Sequence, residues 1–222
     1  MQHGVEVSVP KALEEACDPR RSALLVYDMQ VGIVGRLPGA GTFTARVAEV
    51  LAAARRARTP VFFARHMTLP RALMGAAQLR GAMALQRVAS PEDVVSNFAR
   101  DAPGFPIVPE LEPRPEEAVF DKLAMSFFVG TPLDFALRDL GLGAFAVVGA
   151  VLELGLEPTV RHGADLGYLP VVVEDACFSL ADISGDAAAK ERALSALARV
   201  SLRTDAATYA NLLARLEPST QS

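Results

Sequence analysis

Two ionisable side chains that suit acid–base chemistry stand directly after short apolar segments of the sequence. Asp28 follows the apolar run 23–27, and Lys122 follows the segment 118–121. A carboxyl group whose pKa is shifted by its surroundings can donate or accept a proton near neutral pH, and an ammonium group stabilises negative charge. If the fold brings the two together, they form a candidate catalytic pair.

A turn bounded by glycines, 149–155, is the second candidate element. Its acidic residue, Glu153, offers a second acid or base that would form a paired carboxylate with Asp28. The alternative is that Glu153 faces solvent or pairs with an arginine. The sequence leaves both alternatives open.

These residues need a scaffold, and the sequence alternates between β-branched apolar runs and Ala/Leu/Arg-rich helical stretches. The pattern predicts strands at 22–28, 61–64, 118–120, 144–148, 169–173 and 200–203, and helices at 44–58, 132–140, 157–166, 187–199 and 206–216, with Thr131 as the N-cap of the second. Repeated strand–helix–strand units indicate an α/β fold of three layers (αβα). Its six-stranded sheet is doubly wound, mainly parallel and Rossmann-like.

In an open parallel sheet, ligands bind at the carboxyl ends of the strands. The residues expected at that edge are Asp28, Arg65, His66, Lys122, the turn 149–155 and Asp175. The candidate acid, the candidate cation and the glycine-bounded turn are therefore expected to converge there.

The chain is interpreted as one domain over residues 1–222. It has an N-terminal extension at 1–21, a helical and proline-rich insertion at 69–115, and a frayed tail at 217–222. The insertion is expected to lie over one end of the sheet. A role as a lid or oligomer contact and a role as a surface ornament are both open.

Composition excludes several classes of protein. A chain of 222 residues buries roughly 70% of its unfolded surface, and 51% hydrophobic with 22% charged residues is globular composition. The net charge of −4 and the pI near 5.5 argue against a nucleic-acid binder. Two cysteines are too few for a disulfide framework, which favours a reducing cytoplasm. The longest apolar run, 143–156, is too short to span a bilayer, so a soluble protein is expected.

Several segments together resemble one known family, the isochorismatase-like hydrolases or cysteine hydrolase superfamily, which includes nicotinamidases, carbamoylsarcosine amidases and isochorismatases. The matching segments are LLVYDMQ at 24–30, DK at 121–122, SFFVGTPLD at 126–134, VVG at 147–149, EPTVR at 157–161, ADLGY at 164–168 and EDA at 174–176. They occur in the family's order and span about 22–203. The resemblance implies the family's α/β fold.

The resemblance also implies roles for individual residues. In the amidase branch an aspartate that matches Asp28 is the general base, a lysine that matches Lys122 orients and stabilises charges, and a cysteine attacks the substrate carbonyl. The cysteine position falls on Gly155, which cannot attack anything, so thiol catalysis is excluded there. The isochorismatase branch shares this glycine and uses the aspartate as a general acid that protonates a vinyl ether before water attacks.

The family has a cis peptide bond in the turn before this position, with an oxyanion hole of backbone N–H groups. The resemblance places it near Val151-Leu152. Substrate contacts are expected at Gln30, His66, Phe127, Val151 and Leu152, with His66 as a wall residue rather than a ligand. No metal and no cofactor are expected, because the metal-binding branch needs an aspartate and two histidines after the first strand, where this chain has VGIV at 31–34.

The expected function is cofactor-independent hydrolysis of a small organic substrate at a vinyl-ether or related C–O or C–N bond. Isochorismate itself fits poorly, because Glu153 beside the pocket would repel a dicarboxylate by about 1 kcal/mol or more. The alternatives are a non-hydrolytic reaction of the isomerase or lyase type and a non-catalytic ligand-binding protein.

Beyond a small-molecule substrate, the expected partner is a second copy in a homodimer or homotetramer, with neither nucleic acid nor membrane. Arg161 and Asp165 are expected to hold a helix in place, and Cys177 to pack in the core.

Overall fold

Six parallel strands form the centre of the computed structural model, which describes residues 13–216. They are β1 (Ser22–Tyr27), β2 (Val61–His66), β3 (Ala118–Lys122), β4 (Ala144–Ala150), β5 (Leu169–Phe178) and β6 (Leu202–Thr204). The sheet order is β3-β2-β1-β4-β5-β6, and every neighbouring pair is parallel. The predicted fold class is confirmed. β1 is buried along its whole length, as its continuous apolar sequence predicts.

Helices cover both faces of the sheet. They are α1 (Leu13–Ala16), α2 (Val31–Val34), α3 (Ala40–Arg56), α4 (Ala76–Gln86), α5 (Leu133–Asp139), α6 (Glu157–Asp165), α7 (Ala181–Ser184), α8 (Ala187–Leu197) and α9 (Ala206–Leu216). The buried residues of α3 and α9 pack in the core on one face. Those of α5, α6 and α8 pack in the core on the other face. Within residues 13–216, no helix is long and apolar enough to cross a membrane.

The observed boundaries differ most from the predicted ones at β5. This strand continues to Phe178, although its apolar run predicted an end at Val173. The carboxylates of Glu174 and Asp175 explain the difference, because both find partners in the folded chain. Glu174 pairs with Arg203 of β6 at 2.6 Å, and Asp175 accepts a hydrogen bond from the N–H of Ala206 at 2.7 Å. The predicted cap of α5 is wrong by one residue. Pro132 is the N-cap, while the Thr131 hydroxyl accepts from the N–H of Leu133 at 3.3 Å.

The insertion lies over the end of the sheet that carries Asp28. It contains α4, three short 3₁₀ turns at Arg71–Leu73, Pro91–Asp93 and Pro109–Leu111, and irregular chain. Its last part runs antiparallel to the residues that follow β1. The N–H of Val31 donates to the carbonyl of Pro106, and the N–H of Gly32 donates to that of Gly104, both at 2.9 Å. The insertion is therefore joined by its main chain to the segment next to Asp28.

Candidate active site

Asp28 is the first residue after the carboxyl end of β1, a central strand that lies between β2 and β4. Its φ of 49° lies in the left-handed region, which aspartate tolerates better than most residues. The residue is 6% exposed. One carboxylate oxygen, Oδ2, accepts a hydrogen bond from the Lys122 ammonium at 2.8 Å, whereas Oδ1 is buried without a hydrogen-bond partner among the described residues. This oxygen can carry a proton without loss of the hydrogen bond from Lys122.

Lys122 ends β3, two strands away from β1, and its long side chain reaches across to Asp28. The side chain is fully buried. Its ammonium also donates to the carbonyl of Ala124 at 3.3 Å and lies 4.2 Å from the centroid of the Tyr27 ring, over its face. A carboxylate, a carbonyl and an aromatic face thus surround one buried cation, which is the environment that such a charge requires.

Burial decides the proton affinity of the acid. Removal from water raises the pKa of Asp28 above its ordinary value, and the attraction of Lys122 opposes that rise without cancelling it. Burial and the same ammonium lower the pKa of His66 to about 4, so its imidazole is neutral near pH 7. The site therefore holds a carboxyl that retains its proton more readily than an ordinary aspartate, beside a neutral histidine.

Gly155 lies in a π-helical turn, Leu152–Leu156, that leads into α6. A Cβ atom placed on Gly155 would come closer than 3.0 Å to three atoms of Tyr27, namely Oη, Cε1 and Cζ. Real Cβ atoms essentially never approach so closely. The ring of Tyr27 thus fills the volume that a side chain at position 155 would occupy.

The turn contains a cis peptide bond between Ala150 and Val151, one position before the expected Val151-Leu152. The N–H groups of Leu154, Gly155 and Leu156 all donate to the carbonyl of Val151, at 2.9 to 3.3 Å. These three donors are already satisfied within the turn, so they are not free to stabilise an oxyanion.

The structure divides the predicted substrate-contact residues into two groups. Phe127 and Leu152 are fully buried in the core on one face of the sheet, where they pack rather than line an opening. His66 and Val151 are partly exposed. The His66 ring packs edge-on against Phe98 of the insertion, at 5.5 Å between centroids.

Gln30 connects the sheet to the insertion. Its side-chain amide donates to the carbonyls of His66 at 3.0 Å and Phe105 at 2.8 Å, and it accepts from the N–H of His66 at 2.7 Å. The residue is fully buried, and both of its N–H donors are used in these bonds. In this structure Gln30 therefore holds the wall of the site rather than presenting its amide to a ligand.

Glu153 is partly exposed, so it faces solvent in part. Its carboxylate accepts hydrogen bonds from the Ser179 hydroxyl and from the N–H of Leu180, the latter at 2.9 Å. Among the described residues it makes no hydrogen bond to Asp28 and no salt bridge to an arginine. Glu153 fastens the turn before Gly155 to the segment after β5.

The remaining predicted residues have structural contacts. Arg161 pairs with Glu157 at 2.8 Å and donates to the carbonyl of Ala196 at 3.3 Å, so it holds α6 against α8 as expected. Cys17 and Cys177 are free and buried, and burial raises the pKa of each thiol to about 12. Within residues 13–216, no group of three or more His, Cys, Asp or Glu side chains is arranged to hold a metal ion.

Tyr27 is a site residue that the sequence patterns do not single out. It is 1% exposed, and its hydroxyl donates to the carbonyl of Met125, 98 residues further along the chain. One signal was available, since a tyrosine inside a continuously apolar strand needs a buried hydrogen-bond partner. The sequence alone does not identify that partner.

Comparison with known proteins identifies the family. The family model described as Isochorismatase domain matches residues 22–205 of the 222 residues. The chain belongs to the isochorismatase family. The expected enzyme class, an isochorismatase-like hydrolase, is confirmed with it.

Relatives of this isochorismatase-family protein include two ureidoacrylate amidohydrolases named RutB. The one from Methylobacterium radiotolerans is 29% identical, and the match covers 79% of this chain and 74% of the relative. The one from Pantoea ananatis is 31% identical, with coverage of 71% and 69%.

Solved structures agree with the fold. An isochorismatase family protein from Burkholderia thailandensis superposes with a TM-score of 0.70 at 26% identity, covering 88% of this chain and 96% of the other. A cysteine hydrolase from Pseudomonas syringae pv. phaseolicola gives a TM-score of 0.71 at 24% identity, covering 89% and 94%. At that identity the second likeness concerns the fold alone.

Proposed function

We propose that this isochorismatase-family protein hydrolyses a small organic substrate with Asp28 as the proton-transferring group and Lys122 as its charged partner, without a covalent enzyme intermediate. The observation that carries the proposal is the buried 2.8 Å contact between the two side chains, in which burial raises the pKa of the acid. A carboxyl with a raised pKa is suited to general-acid catalysis near neutral pH. Gly155 has no side chain that could attack the substrate.

A vinyl ether is the substrate class that best uses a protonated acid. Asp28 transfers its proton to the terminal alkene carbon, the π electrons form the new C–H bond, and positive charge develops on the carbon bonded to oxygen. Water adds to that carbon and returns a proton to the Asp28 carboxylate. The resulting hemiketal breaks into a carbonyl compound and an alcohol. Lys122 stabilises the carboxylate that exists between the two proton transfers.

C–N hydrolysis is the second candidate, and the RutB relatives, which are named as amidohydrolases, favour it. In that reaction an ionised Asp28 takes a proton from water while the water oxygen attacks the carbonyl carbon, and Asp28 then gives that proton to the nitrogen, so that the C–N bond breaks and the amine leaves. This route needs the carboxylate rather than the carboxylic acid. The raised pKa of Asp28 favours the vinyl-ether route.

The experiment that tests the proposal is a screen of vinyl ethers, ureido compounds and amides with purified protein in ¹⁸O-labelled water. Hydrolysis by either route places solvent oxygen in the product, which mass spectrometry detects. Turnover without label would indicate an isomerisation or elimination and would overturn the proposal. A ligand that raises Tm and is never converted would also contradict it, because that is the behaviour of a binding protein.

The pH dependence separates the two routes. If Asp28 acts as an acid, kcat/KM is constant below its raised pKa and falls as the pH rises through it, because the reactive form loses its proton. His66, with a pKa of about 4, stays neutral above pH 5 and adds no inflection there. A pH–rate profile from pH 5 to 9 measures this. A kcat/KM that rises with pH over the same range would assign Asp28 the role of base.

Glu153→Gln is expected to leave kcat/KM within about twofold of the unsubstituted protein. We infer an anchoring role because the Glu153 carboxylate is occupied by Ser179 and Leu180, and a glutamine oxygen can still accept one of those hydrogen bonds. Removal of a true general acid or base typically costs about 10²-fold or more. Steady-state kinetics of this variant on the substrate found in the screen decide between the two roles.

A further inference from the structure

Tyr27 and Gly155 fit together as a pair of large and small residues. The three atoms of Tyr27 that a Cβ at position 155 would strike lie at the hydroxyl end of the ring, in the part of the site nearest the turn. Glycine at 155 and tyrosine at 27 are therefore each compatible with the other, and a larger residue at 155 requires a smaller one at 27.

The ring cannot move aside easily, because it is held on several sides. Its hydroxyl donates to the carbonyl of Met125, its edge meets Phe127 at 6.4 Å between centroids, and its face carries the Lys122 ammonium. Its main chain is paired on both sides within the sheet, with Ala64 and Gly149. A substitution at 155 would disturb all of these contacts together.

We propose that Tyr27 determines which chemistry this site performs. Its phenol occupies the volume of a side-chain nucleophile and holds the Lys122 ammonium against its ring, so the Asp28–Lys122 pair can act only on water or directly on the substrate. The catalytic meaning of this inference rests on the proposed function, whereas its packing part stands on the geometry alone. Tyr27 is thus a positioning residue that acts through Lys122.

The phenol does not itself replace the nucleophile. Burial and the neighbouring Asp28 raise the pKa of Tyr27, so the hydroxyl keeps its proton and donates it in a hydrogen bond to Met125. Replacing the Tyr27 ring with a smaller side chain and adding a thiol at position 155 therefore puts a nucleophile, instead of a neutral phenol, near the Lys122 ammonium. A nearby cation lowers the pKa of a thiol and raises the fraction present as thiolate.

The packing part is tested by a double-mutant cycle with Tm as the readout. Gly155→Ala in the otherwise unchanged protein is expected to lower Tm by roughly 5 °C or more, because the methyl group overpacks a rigid ring. With Tyr27→Val already present, the same change is expected to lower Tm by less than about 2 °C, or to raise it. Gly81→Ala is the matched control, since nothing lies within 4 Å of a Cβ at Gly81. Equal effects of Gly155→Ala in both backgrounds would overturn the proposal.

The chemical part is tested by the reactivity of an introduced thiol towards iodoacetamide in the folded protein. The double variant Tyr27→Val, Gly155→Cys is expected to gain one thiol that reacts roughly tenfold or more faster than the buried Cys17 and Cys177, because position 155 borders the volume that Tyr27→Val vacates, next to the Lys122 ammonium. Adding Lys122→Met is expected to slow that thiol severalfold. An introduced thiol that reacts no faster than the native pair, or that is indifferent to Lys122→Met, would refute the inference.

Neither readout depends on turnover, so failure here is distinguishable from failure of the proposed hydrolysis. The double-mutant cycle could behave as expected although the product contains no ¹⁸O from water. That result would support the role of Tyr27 and refute only the hydrolytic function. Additive Tm effects in a protein that does hydrolyse its substrate would refute only the inference about Tyr27.

Discussion

Asp28→Asn is expected to lower kcat/KM by about a thousandfold, the range over which a positioned general acid accelerates a reaction. The amide has the shape of the carboxyl group but cannot transfer its proton to a substrate. Asparagine also tolerates the left-handed backbone at this position, where φ is 49°, so the backbone conformation should be retained, but Tm is expected to fall because the buried Lys122 ammonium loses its charged partner. Steady-state kinetics together with a circular dichroism spectrum and Tm separate loss of chemistry from loss of structure.

Asp121→Asn is the matched control for that variant. Asp121 adjoins Lys122 in β3, but its carboxylate pairs with Arg65 at 2.8 Å and Arg100 at 3.3 Å rather than with the buried ammonium. Its replacement is expected to change kcat/KM less than about threefold, because partly exposed ion pairs of this kind contribute little. If Asp28→Asn retained more than a tenth of the activity, Asp28 would not be the essential acid.

Lys122→Met is expected to cause the largest loss of stability, about 3 kcal/mol or more in the free energy of unfolding. Methionine replaces most of the buried stem, but Asp28 is then left as an uncompensated carboxyl in the interior, which is the costly way to break a buried pair. Activity is expected to fall with it, because the charge of the reacting carboxylate is no longer balanced. Urea unfolding measured at two pH values provides the test.

The sign of the pH effect follows from the proton affinity of Asp28. Without Lys122 the pKa of the buried carboxyl rises further, so the folded state binds a proton more tightly than the unfolded state does. Stability is then retained at low pH and lost as the pH rises from the unfolded pKa, about 3.9, through the folded one. The loss caused by Lys122→Met should therefore be larger at pH 8 than at pH 5. The opposite order would mean that Asp28 is not the group left unpaired.

Lys190→Met supplies the comparison for Lys122. The Lys190 ammonium also forms a 2.9 Å ion pair, with Asp182, but it retains access to water. Such pairs are typically worth less than about 1 kcal/mol. A similar loss in the free energy of unfolding in both variants would show that the buried Asp28–Lys122 pair contributes no more to stability than a partly exposed pair does.

The sequence predicted the parts of the site that depend on topology. Asp28 directly follows β1 and Lys122 ends β3, and a parallel sheet brings such positions to one edge whatever the intervening loops do. Long apolar runs also made the strands recognisable, β1 above all. The Asp28–Lys122 contact needed no knowledge of side-chain packing to be expected.

The parts that could not be predicted depend on contacts between distant segments. The Tyr27 hydroxyl bonds to a carbonyl 98 residues away, and Glu153 is bonded to Ser179 and Leu180, 26 and 27 residues away. No periodicity or spacing encodes such pairs, because each depends on how two distant segments meet in the folded chain. The same reason explains why the end of β5 was predicted too early. Its two carboxylates, Glu174 and Asp175, indicate the end of a strand unless their partners in the folded chain are known.

Gly32 and Gly104, whose main chains are hydrogen-bonded to each other, have a consequence for engineering this protein. A Cβ on Gly32 would lie 2.9 Å from the Gly104 Cα, and a Cβ on Gly104 would lie 3.0 Å from the Gly32 Cα. A side chain at either position would therefore require the two hydrogen-bonded segments to move apart. A chimera that receives this insertion from another family member must therefore bring a glycine to position 104. One that does not would push the transplanted segment away from the backbone that holds the acid.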